Sequence, residues 1–255
     1  MGAKKQLTMA VKDFKATLLI AIALTMGYLW LSQGNLFVDK NTLVSLAFSL
    51  NQPLNIMSYM LTHMSLWHLA VNVFSLLLFA SIVESNLGPG DVLGIFLFSG
   101  MTTVALFVLI NPGTTLMGAS AGVWGLMSSA FVLDARKAFA SLGILLALFL
   151  LVFPATTVAI EAYREGLNQK NLEYGEQLRE AVSSGKEKAI AEASEKKKVV
   201  EKEVREFSES KQFASEAEVD PFLHTYAGIM GLAFLAIFRR KRTIEAMKKQ
   251  KIPLF

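Results

Sequence analysis

Apolar runs too long for a water-soluble core leave this chain few folds. Residues 16–33, 57–83, 92–110, 138–160 and 221–238 each carry enough consecutive apolar side chains, at about 1.5 Å per helical residue, to cross roughly 30 Å of hydrocarbon. A sixth run, 119–133, is short and spans only where the membrane is thin or where the run begins in a water-filled pocket. In hydrocarbon every backbone N–H and C=O must be satisfied internally, so runs of this length are read as helices. The expectation is therefore all-α: a polytopic membrane protein built as a six-transmembrane-helix bundle.

The basic residues orient it. With the N-terminus inside, the inner side carries Lys4, Lys5, Lys12, Lys15, Arg136 and Lys137, then Arg239, Arg240, Lys241, Arg242, Lys248, Lys249 and Lys251. The short outer loops carry Lys40 alone, which matches the retention of Lys and Arg on the cytoplasmic side. Both termini are expected in the cytoplasm, and the basic tail also suits anionic headgroups. The net charge of +4 is explained in this way, so no nucleic-acid partner is expected. With no cysteine in the chain, disulfides and thiolate metal sites are excluded.

One segment departs from the bundle. Residues 161–219 are dense in Glu and Lys, with sparse apolar positions at helical spacing and a break at Ser183 to Lys186, which predicts a helical-hairpin insert between helices 5 and 6. The layout is then 1–160 for five spans, 161–219 for an extracytoplasmic insert, 220–240 for the sixth span and 241–255 for a basic tail. The insert is a candidate surface for a protein partner; the bland alternative is a solvated linker.

A polar side chain inside a span costs several kcal/mol and is a functional candidate by default. Ser120 opens the fourth span between small residues, where helix packing through Gly118 and Gly122 is the plain alternative. His63, His68 and His224 all lie in or at the edge of expected spans. His68 and Asn72 are four apart, on one helix face. By depth, Ser120, His224, His68 and Asn72 fall at one level near the outer surface. Together they supply a nucleophile, a base and two donors for a developing oxyanion. No Asp or Glu in the spans is available as a third member, so the chemistry is a Ser-His dyad. Three histidines also raise a metal site, but Asn72 is a poor ligand and no carboxylate or thiolate lies near them; neither metal nor cofactor is expected.

These motifs resemble the rhomboid family of intramembrane serine proteases. His63, His68 and Asn72 match its His-x4-His-x3-Asn run, Gly118 and Ser120 its Gly-x-Ser turn, His224 and Gly231 its His-x6-Gly, and Glu84 with Gly88 its second-span end. The resemblance implies Ser120 as nucleophile, His224 as base, and His68, Asn72 and the Ser120 N–H as oxyanion hole, with His63 and Gly118 in support. It implies single-pass transmembrane substrates cut without a cofactor, in a membrane taken to be the prokaryotic cell membrane, with the site facing outward. The rival is a catalytically inactive relative that binds or chaperones membrane proteins. There are departures. Leu54 and Asn55 stand where the family often has Trp-Arg in the first outer loop. Ala121 and Ala227 stand where it has glycines, and their methyls are expected to push the fourth and sixth helices apart unless Gly122 and Gly228 absorb the crowding.

Overall fold

The computed structural model describes residues 14–216 and 221–250. Lys4, Lys5, Lys12 and Lys251, and the expected junction between insert and last span at 219–220, lie outside the described residues. The elements in order are α1 (Lys15–Ser32), α2 (Lys40–Leu46), α3 (Leu66–Leu87), α4 (Pro89–Ile110), α5 (Ser120–Leu133), α6 (Ala135–Ser184), α7 (Glu187–Glu216), α8 (Pro221–Phe238) and α9 (Arg240–Lys249), with two 3-10 turns, Pro53–Ile56 and Ser58–Met60. No strand forms among the described residues, only isolated bridges. Three helices, Lys15–Ser32, Leu66–Leu87 and Pro89–Ile110, are long and apolar enough to cross a membrane; a fourth span results if α8 and α9, bent by 103° at their junction, count as one. α5 is apolar but shorter.

The chain divides into two compact units, Met1–Leu146 with Glu218–Phe255, and Ala147–Ala217. In the first, α5 packs against α3, α4 and α8, with Leu76, Phe79, Ile95 and Leu126 fully buried between the helices. The outer faces are as apolar as the core: Leu19, Ile22, Leu109 and Ile110 are each about 60% exposed or more. A surface of this kind aggregates in water and costs nothing against lipid tails. The rhythm of apolar residues therefore says little about which face is buried, and small or polar residues decide it.

Two such residues fix the helix ends. Glu84, buried at the end of α3, accepts from Ala16 N and Thr17 N at 2.9 Å each and from Thr17 Oγ1 at 2.6 Å. It thereby satisfies the first-turn donors of α1, which have no carbonyl partners of their own. Gly88 then ends α3 with φ +106°, a conformation open to glycine and strained for other residues. At the start of α4, buried Asp91 pairs with Arg239 Nε, and with Arg242 Nη1 at 3.6 Å, tying that helix to the junction of α8 and α9. Gln250 accepts from Ala135 N at 3.2 Å and donates to Val132 O at 3.3 Å and to Leu133 O, closing the C-terminus of α5.

The second span is the main boundary difference. Its apolar run starts at residue 57, but the helix starts at Leu66, because 53–60 wind into 3-10 turns and Ser65 caps α3 by accepting from His68 N at 3.1 Å. His63 therefore stands in the loop ahead of the helix. The loop between α2 and α3 is anchored without Trp-Arg: Asn55 Nδ2 donates to Ser45 O at 2.8 Å and to Ala47 O at 3.0 Å, while Leu54 stays in the open.

In the second unit, α6 runs unbroken past residue 160, where no capping residue or glycine interrupts it, and α6 and α7 meet at the expected break. Gly185 there adopts φ +66°, the usual helix-ending glycine. The arms pair through a narrow seam: Leu167, Ala181, Ala193 and Val200 are buried, the Tyr163 and Phe207 rings sit 5.4 Å apart, and Lys211 Nζ donates to Glu161 at 2.6 Å. That hydrogen bond holds the Glu161 carboxyl below its ordinary pKa.

The Glu84 cap yields a prediction. Glu84→Ala leaves two backbone N–H groups and a hydroxyl buried without an acceptor, which should cost about 2–4 kcal/mol. The thermal midpoint of the detergent-solubilised protein should fall clearly, and an unchanged midpoint would contradict the role given to this carboxylate.

Candidate active site

The site is built on the turn that precedes α5. Phe48 N and O exchange hydrogen bonds with Leu116 at 2.9 Å each, and Gly118 N donates to Tyr59 O at 2.8 Å, so the loop between α2 and α3 braces the chain just before Ser120. Gly118 has φ +100°, and a Cβ there would stand 2.8 Å from His68 Cε1 and 3.0 Å from His68 Nε2. Glycine is required twice over, for the backbone conformation and for the approach of the imidazole edge. Ser120 follows as the first residue of α5, half-buried. The N-cap position, Ala119, offers no side-chain acceptor to the first-turn N–H groups of α5.

The histidines converge from two sides. His68 lies on the first turn of α3, and buried His63 meets it edge-on with ring centroids 5.1 Å apart and its Nδ1 3.3 Å from Leu61 O. Asn72, also buried, turns its amide up its own helix, Nδ2 donating to His68 O at 2.9 Å. His224 lies on the first turn of α8 against Trp124, with centroids 5.2 Å apart and planes at 37°. Trp124 is one turn beyond Ser120, hence on the same face of α5. The Trp124 contact thus draws His224 to the face of α5 that carries Ser120. Among the described residues, no three His, Cys, Asp or Glu side chains cluster as metal ligands do.

The crossing of α5 and α8 sets this contact. A Cβ on Gly231 would lie 2.2 Å from Gly125 O and 2.7 Å from Gly125 Cα, so the two backbones touch. Gly231 is seven residues, or two turns, after His224 and so faces the same way, which aims the imidazole at α5. The methyls of Ala121 and Ala227 are fully buried without holding the helices off. The relief comes from Gly125 and Gly231. Gly122 is turned instead to Phe96 of α4, whereas Gly228 faces Ser128 of α5 and lies on the crossing as expected. Gly125 and Trp124 are the residues the motif reading missed. The i, i+4 spacing from Ser120 to Trp124 was a signal for the second; Gly125 has none apart from its being one small residue among several.

A family profile described as Rhomboid domain matches residues 50–168. The matched stretch contains His63, His68, Asn72, Gly118 and Ser120 and stops short of His224. No curated protein and no solved structure matches the chain.

Gly231→Ala should force α8 away from α5, because the obstructing atoms are backbone. The expected cost is about 1–3 kcal/mol in stability, read as a lowered thermal midpoint. Gly143→Ala, where an added Cβ meets nothing within 4 Å, should lose none. Equal midpoints for the two variants would show that the crossing tolerates a side chain.

Proposed function

Because the chain is a rhomboid-family protein, embedded in the membrane through its apolar helices, we propose that it is an intramembrane serine protease acting through Ser120 and His224. The observation that carries this reading is the Gly118 turn, which presents Ser120 at a helix start with the His68 edge on one side and the Trp124-stacked His224 on the other. His224 takes the proton of Ser120 Oγ as that oxygen attacks a peptide carbonyl; the oxyanion is met by His68, Asn72 and the Ser120 N–H. The same imidazole returns the proton to the leaving amine, and water then releases the acyl group by the reverse sequence. Asn72 joins the oxyanion hole by rotating its amide from the His68 carbonyl toward the new charge.

The substrates in this reading are single-pass transmembrane proteins, cut near the outer edge of their spans. The bundle has six spans with both termini cytoplasmic, and the active site opens to the extracytoplasmic side of the membrane. The hairpin of the second unit, charged in both signs and apolar along a seam, is a surface for a substrate ectodomain or a partner helix.

Ser120→Ala and His224→Ala should each abolish cleavage of a single-pass reporter. Asn72→Ala should keep a measurable remainder, since one lost oxyanion donor costs about 3–4 kcal/mol at most. A serine-reactive fluorophosphonate should label the wild type and not Ser120→Ala. Absence of labelling in the folded wild type would overturn the protease and leave the inactive membrane binder.

A further inference from the structure

At the opposite end of α8 from His224 the helix path turns by 103° into α9. If α8 crosses the bilayer, α9 runs along its surface. The turn forms an open surface recess of about 590 Å³ lined by Ile237, Phe238, Arg239, Arg240, Lys241 and Arg242. The lining falls into two halves. Ile237 and Phe238 are 66% and 51% exposed, and Phe238 is held in place by Phe98 and Phe234, with centroids 6.0 and 5.1 Å away. The other half is four consecutive cations. Two of them, Arg239 and Arg242, share the single buried carboxylate of Asp91, and Arg242 Nη1 also donates to Leu87 O at 3.0 Å. Arg240 and Lys241 are exposed, and Glu245 is the sole acidic residue of α9.

We propose that this recess binds the headgroup phosphate of an anionic phospholipid from the leaflet that α9 lies on. One carboxylate cannot neutralise four cations, and an anion bearing several acceptor oxygens completes the cluster. The apolar wall beside the cations suits the glycerol and first methylenes of an acyl chain, which a free phosphate lacks. The surface potential of an anionic leaflet favours such a basic segment. The occupant would hold the bend, and with it the lower ends of α8 and, through Gln250, of α5. The inference rests on membrane insertion and is independent of proteolysis.

The test uses the full-length protein in detergent, titrated separately with phosphatidylglycerol and phosphatidylcholine and followed by native mass spectrometry. Phosphatidylglycerol should bind first and tighter. In Arg240→Gln combined with Lys241→Gln, which leaves the Asp91 cluster intact, its affinity should fall about thirty-fold, the factor for two cations at about 1 kcal/mol each. Raised salt should erode the wild-type preference in the same direction. A paired change on the hairpin, Lys188→Gln with Lys202→Gln, should leave it unaltered, and so should added inorganic phosphate. Equal binding of the two lipids overturns the proposal, as does a preference that survives in Arg240→Gln/Lys241→Gln. Displacement of the lipid by inorganic phosphate would assign the recess to a free anion and overturn it equally. If the double variant does not fold, the wild-type lipid comparison and its salt dependence decide alone.

Discussion

The backbone contact between Gly125 and Gly231 is the constraint on which the rest of the first unit depends. In lipid there is no hydrophobic force to press helices together, since tails are as apolar as leucine, and close packing with polar contacts must serve instead. Where a side chain would lie 2.2 Å from a carbonyl oxygen, only glycine permits the approach. That approach fixes both the depth of α8 against α5 and its rotation, and rotation decides whether His224 meets the face carrying Ser120 and Trp124 or the lipid. The short α5, entered from a turn braced by Phe48, Tyr59 and Leu116, supplies the other half of the geometry.

Polar groups do the locking at the far ends. Glu84 closes the start of α1, Asp91 gathers Arg239 and Arg242, and Gln250 closes the end of α5. Each stands where a helix end leaves donors or acceptors that hydrocarbon cannot satisfy. The site-bearing layer and the locking layer thus sit at opposite ends of the same helices, so the polar contacts that hold the bundle do not compete with those that line the site.

Much of this was legible before any coordinates. Ser120, His68, Asn72 and His224 stood out because a polar side chain in an apolar run needs a reason, and their depth could be counted along the spans. α1, α4 and α8 begin and end within a few residues of their apolar runs. The start of α3 was not legible, because hydropathy does not distinguish a helix from the apolar 3-10 turns of 53–60, and the capping Ser65 is one serine among several. Asn55 could not be seen as an anchor, since its carbonyl partners are brought near only by the folded loop. Of the two glycines expected to absorb crowding by Ala121 and Ala227, Gly228 does meet α5, at Ser128, and Gly122 does not. Periodicity gives the faces of a helix without naming the neighbour on each, and Gly122 belongs to the face turned toward Phe96. The continuation of α6 past residue 160 escaped for a related reason: a change from apolar to charged composition alters what surrounds a helix without ending it.

Ser99 of α4 extends the glycine crossing to a third helix, for a Cβ on Gly125 would fall 2.1 Å from its Oγ. Ser99, Gly125 and Gly231 therefore form one column through three helices, closed on both sides of its middle member. Substitutions in such a column do not add: enlarging the middle residue loads both interfaces at once, while shrinking Ser99 gives room that only Gly125 can use. A side chain at Gly125 would therefore have to clear both Ser99 and Gly231, whereas one at either end meets a single neighbour of the column.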